Sequence, residues 1–427
     1  MRFVDLFAGL GGFHVALERL GHQCVFAAEI DSDLQKLYEC NFAFRPAGDI
    51  REIRLHDIPA HDLLCAGFPC QPFSKAGRQA GLSCEKNGDL ARIVIDRIRK
   101  ARPPFIMLEN VPNFLRHDGG RTWRWFSQEL RHAGYSLDTQ IVSPHDHGIP
   151  QLRDRLFIVG ARDGLDHFSW PEPCRRLTDV REVLDDDATA RVDLALPPHI
   201  LEALETWGEF VRAYPVDRRK PWFPIWAAEF GANYPFATTA PLAVPVATLK
   251  SFRGTLGVPI SGRSKAEVAA KLPPYARTER AIPEWKARFL QLNRDLYEHN
   301  RSWIDPWLPR LQPLGPSLQK FEWNFGHERS IWNSVIQLRG SGIRARATNA
   351  APALVAATSS QTPIIGWERR YMSVRERARL QDLGDLAHLP EGSGAVTRAL
   401  GNAVNAKLVE LIGRKLLSTR KPHSAAA

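Results

Sequence analysis

The first 160 residues alternate short apolar runs with segments of helical spacing, and this alternation does most to narrow the folds open to the chain. Phe3 to Phe7 is a short apolar run, followed at once by Gly9-Leu10-Gly11-Gly12 and by an expected helix from about Phe13 to Leu20. Further runs are Cys24 to Ala28, His61 to Ala66, Phe105 to Leu108 and Leu156 to Gly160. The rhythm predicts an α/β domain: a Rossmann-like, mostly parallel sheet with helices on both faces.

With 427 residues the chain is long enough for more than one core. From about 175 to 335 tryptophans and prolines become frequent and the βα rhythm stops. The expected organisation is therefore an α/β domain over 1–175, to which the motifs below assign catalysis and cofactor binding, and a smaller, irregular domain over 176–335. Residues 336–418 return to the first domain with two helices, near 373–382 and 396–416, and 419–427 form a disordered tail.

No run of about 18 apolar residues predicts a membrane span. The chain enters its first strand-like run at once, leaving no room for a signal peptide, so a cytoplasmic home is expected. Six cysteines (24, 40, 65, 70, 84 and 174) show no Cys-x-x-Cys pair and no zinc-like spacing, so no metal is expected. A formal charge of +10 and a pI near 9.5 favour a polyanionic partner.

Gly9-x-Gly11-Gly12 lies between a strand and a helix, where a ligand can approach the backbone near the helix N-terminus. Glu29 ends the next strand, where a carboxylate can accept both hydroxyls of a ribose. Asp49 follows Gly48. The turn is not the six-residue dinucleotide fingerprint, and no basic residue waits for a pyrophosphate. A compact nucleoside without phosphates, such as S-adenosylmethionine, fits these residues better.

Residues 67–74 read Gly-Phe-Pro-Cys-Gln-Pro-Phe-Ser. Prolines on both sides stiffen the backbone around Cys70, as covalent catalysis by a thiolate requires. A lone Pro-Cys pair is more often a buried cysteine in a turn; the rest of the chain decides. Glu109, at the end of an apolar run, suits a raised pKa and a general-acid role, although alone it reads equally well as a solvated or helix-capping acid. Arg153 and Arg155 are expected to alternate on a strand and share a face.

Together these segments resemble the cytosine-C5 DNA methyltransferases. The resemblance rests on Asp5 to Phe13, Pro69-Cys70-Gln71, Glu109-Asn110-Val111, Gln151 to Arg155 and Gly401-Asn402-Ala403-Val404, in that order. It implies a sequence-specific enzyme that flips cytosine out of double-stranded DNA. Cys70 would add to C6, Glu109 would protonate N3, Arg155 would hold O2 and Arg153 would activate or position Cys70. S-adenosylmethionine would lie against Phe7, Ala8, Gly9, Leu10, Gly11, Gly12, Glu29, Ile30, Asp49, Ile50, Gly67, Pro69, Leu90, Asn402, Ala403 and Val404. The segment from about Gln71 to Asp89 would close over the DNA, with Gln71, Ser74, Lys75, Arg78 and Gln151 as DNA-binding residues. The variable insert would read the target sequence.

The resemblance further implies a monomer in a bacterial restriction–modification system, associated with the nucleoid and with a cognate restriction endonuclease as functional partner. Two alternatives remain open: the tRNA-directed branch of the family, and a catalytically silent DNA-binding relative. One departure from the family pattern is Asp382-Leu383-Gly384, which stands where Gly-Phe-Pro is usual.

Overall fold

The computed structural model describes residues 1–69, 88–186, 193–237, 239–356 and 358–418. Cys70, Gln71, Ser74, Lys75, Arg78 and the tail 419–427 lie outside the described residues. The chain divides into two compact units, one of residues 1–186, 349–359 and 373–427, the other of 187–348 and 360–372. The divisions thus fall at 186/187 and 348/349, where the texture of the sequence suggests 175/176 and 335/336, and residues 360–372, expected in the first domain, belong to the second unit.

In the first unit the strands are β1 (Arg2–Leu6), β2 (Gln23–Ala28), β3 (Leu63–Gly67), β4 (Phe105–Asn110), β5 (Ser136–Val142), β6 (Gln151–Leu152), β7 (Arg155–Ala161) and the two-residue β8 (Ala351–Pro352). Six of them form one sheet in the order β2-β1-β3-β4-β7-β5. The first four in that order run parallel, and β7 is antiparallel to both β4 and β5. The chain leaves β1 toward one edge and comes back to its other side with β3. In a parallel sheet such a reversal opens a crevice at the carboxyl ends of the two strands.

Burial on both faces explains the near-continuous apolar strands. Val4, Leu6, Leu64, Ala66, Ile106, Leu108, Leu156 and Ile158 pack on one face with helices α3 (Gly88–Ala101) and α4 (Arg121–His132), through Val94, Ile95, Ile98, Phe126 and Leu130. The opposite face takes α1 (Gly12–Arg19), and the helix Ala406–Leu417 packs beside it, with Gly413 against Leu17, Leu20 and Met107. Helix α2 (Ser32–Phe42) is capped by Asp31, whose carboxylate accepts from the amides of Asp33 and Leu34.

The expected helix near 396–416 is two helices, Ser393–Asn402 and Ala406–Leu417, separated by Ala403-Val404-Asn405. Asn405 caps the second by accepting from the Leu408 amide. Asp382, one of the residues that depart from the family pattern, has φ +57° and its carboxylate accepts from Arg19 at 2.5 Å.

The second unit is irregular through residues 214–283 but not throughout. It holds helices Pro198–Ala213 and Glu284–Trp307, and a six-stranded sheet that includes Lys320–Asn324, Val335–Arg339 and Gly342–Arg346. Trp207, Trp307, Trp323 and Trp332 are buried in its core, and the Trp207 ring stacks on Phe321 at 4.9 Å. With the half-buried Trp226 and Trp303 also packed against the cores, six of the eight tryptophans between residues 175 and 335 are packing groups.

Candidate active site

A cavity of about 390 Å³ opens at the carboxyl ends of β1 to β4, within the size range of small-molecule sites. Its wall contains Phe7, Ala8 and Gly9 after β1, Glu29 and Ile30 after β2, and Gly67 and Pro69 at the end of β3. Asp49, Ile50 and Leu90, together with Asn402, Ala403 and Val404 from the break near the C-terminus, complete the part anticipated from sequence. Phe7 has φ +62°, a conformation rarely adopted by a bulky residue, and such strain gathers at ligand sites.

Leu10, Gly11 and Gly12 lie behind this wall, not in it. Gly11 (φ +82°) precedes α1, and a Cβ there would lie 2.5 Å from the Phe42 ring. A Cβ on Gly12 would lie 2.3 Å from the carbonyl oxygen of Val404. These glycines shape the pocket by letting α1 approach its neighbours.

The Glu29 carboxylate accepts from the Gly9 amide at 2.8 Å and from the Asp31 amide at 2.9 Å. Burial pushes its pKa up, opposed by these backbone hydrogen bonds. Each oxygen keeps a lone pair for a further donor. Asp49 accepts from Arg51, which holds its carboxyl below the ordinary value. Ile30 is 65% exposed beside these acids, an apolar surface suited to the flat face of a base. Polar acceptors for hydroxyls and an apolar plate fit a nucleoside.

Glu109 is buried at the end of β4, opposite Gly67 in the strand register, with an oxygen 3.7 Å from where a Gly67 Cβ would lie. Desolvation raises its pKa; the guanidiniums of Arg155 and Arg153 partly offset this. Arg155 Nε lies 2.9 Å from a Glu109 oxygen. Asn110 donates to the carbonyl of Phe68 at 3.3 Å, tying the end of β4 to the segment that leads to Pro69. Cys70 is the next residue in the chain.

The arginine pair differs from the expectation. Arg153 lies in the break between β6 and β7, not on a strand with Arg155. It is 2% exposed, and its guanidinium donates to the carbonyls of Leu354 (2.7 Å), Gly401 (2.9 Å) and Ala403 (3.0 Å). Both arginines still reach the cavity wall. Gln151 is fully buried, and its side-chain carboxamide has no hydrogen-bond partner among the described residues. The parallel pairing of β6 with Ala351-Pro352 fixes its backbone.

Residues 1–202 match the family described as C-5 cytosine-specific DNA methylase. The type II methyltransferase M.HhaI of Haemophilus parahaemolyticus is 41% identical over 193 residues, 44% of this chain and 58% of that relative. M.DsaV of Dactylococcopsis salina is likewise 41% identical, over 54% of its length. The chain thus spans a little over half of these two relatives. M.AluI of Cellulosimicrobium cellulans is 31% identical over 97% of this chain and 91% of its own. The chain belongs to the C-5 cytosine-specific DNA methylases. Among solved structures, the methyltransferase EhMeth of Entamoeba histolytica aligns over 98% of both chains with TM-score 0.50 and 14% identity. A putative DNA modification methyltransferase from an E. coli prophage gives 0.50 at 17% identity; both are likenesses of fold.

Membership in the methylase family implies S-adenosylmethionine, and the nucleoside-like wall fits it. Several wall residues of this methylase escaped the sequence reading: Asp31, Arg51, Phe68, Val111, Arg398 and Ala399. Asp31 was legible as an N-cap two residues after Glu29. Arg398 was legible as one helical turn before Asn402. Among the described residues no three His, Cys, Asp or Glu side chains gather to hold a metal, and no helix is long and apolar enough to cross a membrane.

Proposed function

We propose that this methylase transfers a methyl group to C5 of cytosine in double-stranded DNA at a specific sequence, as the modifying half of a restriction–modification system. The observation that carries the reading is the placement of Glu109. A buried carboxyl, paired with Arg155, shares one cavity with the nucleoside-binding wall and with Pro69, the residue before Cys70.

Cytosine C5 is a poor nucleophile until C6 carries an added group. The Cys70 thiolate supplies it, forming an Sγ–C6 bond. Glu109 gives its proton to N3 and accepts from the exocyclic amine, so the negative charge of addition does not build up on the ring. Arg155 holds the Glu109 carboxyl in place and hydrogen-bonds O2. Arg153 ties the break at Gly401–Ala403 to the strand end, and so positions rather than reacts. S-adenosylmethionine supplies the electrophilic methyl group. With S-adenosylhomocysteine released, the C5 proton passes to water and the electron pair of the Sγ–C6 bond returns to Cys70 as thiolate. N3 gives its proton back to Glu109, which restores the ring.

Glu29, Asp49 and Ile30 are the residues proposed to hold the nucleoside end of the cofactor. Gln71, Ser74, Lys75 and Arg78 are proposed for DNA contact, and the second unit for sequence readout. A methyl-labelled S-adenosylmethionine assay with plasmid DNA and total tRNA in separate tubes tests the reading. Label recovered as 5-methylcytosine from DNA alone is the expected result. Label in tRNA would move the protein to the tRNA-directed branch, and no transfer with intact cofactor binding would make it a silent relative.

A further inference from the structure

Four arginines stand on the cavity wall, and three are committed. Arg51 pairs with Asp49, Arg155 with Glu109, and Arg153 donates to three backbone carbonyls. Arg398 has no hydrogen bond or ion pair among the described residues, although it borders the same cavity. It lies on the helix Ser393–Asn402, four residues before Asn402, so the two share one helix face, and both belong to the wall.

The other charges on the wall give this cation its meaning. Glu29, Asp31, Asp49 and Glu109 put four carboxyls around the cavity. Asp49 and Glu109 are paired with Arg51 and Arg155; Glu29 and Asp31 suit the ammonium and sulfonium of S-adenosylmethionine and oppose its carboxylate. An uncommitted donor of positive charge suits the carboxylate of such a ligand, and a guanidinium fork matches it in two parallel hydrogen bonds.

We propose that Arg398 is a cofactor-anchoring residue that binds the amino-acid carboxylate of S-adenosylmethionine. The proposal rests on the reading that this cavity holds that cofactor, and it adds a residue that separates the intact cofactor from forms lacking the carboxylate.

The test is a direct binding titration of the full chain with two probes, S-adenosylmethionine and its decarboxylated analogue, which keeps both positive charges. Arg398→Ala is expected to weaken the first by about tenfold, the scale of one charge-assisted pair. Arg398→Glu weakens it further. The decarboxylated analogue binds both variants as well as wild type, or more tightly. Arg398→Lys restores part of the lost affinity. Arg398 is exposed, so folding should survive, and Arg398→Gln serves as a second variant of similar length. Equal loss for both probes would overturn the proposal in favour of a structural role. Unchanged S-adenosylmethionine affinity with weaker DNA binding would overturn it in favour of a phosphate contact. If wild type bound neither probe, the cofactor reading would fall and the proposal with it.

Discussion

Gly12 and Val404 are 392 positions apart in sequence, yet a Cβ on Gly12 would come within 2.3 Å of the Val404 carbonyl oxygen. The start of the first helix thus presses on the break between the last two. Alanine normally gains up to about 1 kcal/mol over glycine inside a helix. Here the obstacle is backbone and cannot swing aside, and overpacking typically costs about 1–3 kcal/mol. Gly12→Ala should lower the urea midpoint. Gly394→Ala, at an exposed helix position with nothing within 4 Å of the added carbon, should hold or raise it.

Arg153→Lys keeps the charge but loses the fork that reaches Leu354, Gly401 and Ala403. One ammonium cannot span three carbonyls in a buried site, and each carbonyl left alone adds a desolvation penalty. A loss of roughly 2–4 kcal/mol in urea unfolding is expected, with weaker S-adenosylmethionine binding. Unchanged stability would show that the carbonyls find other donors.

Cys70→Ala should abolish methyl transfer while duplex binding in a filter or gel-shift assay persists. The C6 addition has no other soft nucleophile in this reading. Turnover near the wild-type rate would remove the covalent step from the mechanism.

Burial lifts the Glu109 pKa above its ordinary value against the pull of Arg155 and Arg153. A general acid works only while protonated, so single-turnover rate should fall as pH rises through that elevated value. Glu109→Gln should cost roughly 10²–10⁴ in rate and flatten this limb of the profile. A limb that persists in the variant belongs to another group.

Asp5 is fully buried on β1, and burial, helped by Glu29, pushes its pKa well above the carboxylate range against the nearby His14 amide. The unfolded chain gives up this proton near pH 4, the folded chain only at much higher pH. Between those values the unfolded state binds fewer protons, so stability falls as pH rises. Asp5→Asn should remove that slope and raise the thermal midpoint at pH 8 relative to pH 5. The same slope in both proteins would mean that another buried group causes it.

Much of the first unit was legible because its strands are apolar on both faces. A run such as Phe3-Val4-Asp5-Leu6 reads as a buried strand without reference to its partners. Edge strand β5 was not, since Ser136-Leu-Asp-Thr-Gln-Ile-Val mixes polar with apolar residues and exposes Ser136, Asp138 and Ile141. The 24-residue helix Glu284–Trp307 was hidden by Asn293 and Asn300 on its buried face and by Pro306 near its end. In the site, carboxylates at strand ends could be read locally. The partners of Arg153 lie 201 to 250 residues away, and no local pattern names carbonyl acceptors at such a distance.

The grip of Arg153 on Gly401 spans 248 residues and places a delay inside protein synthesis. A ribosome adds about 5–20 residues per second, so Arg153 emerges on the order of 12–50 s before Gly401 exists. Through that interval the crevice beside β1 and β3 lacks the wall formed by 401–404. A nascent chain can therefore build most of its sheet before it can complete its pocket, and any ligand that needs this wall waits for residues 401–404.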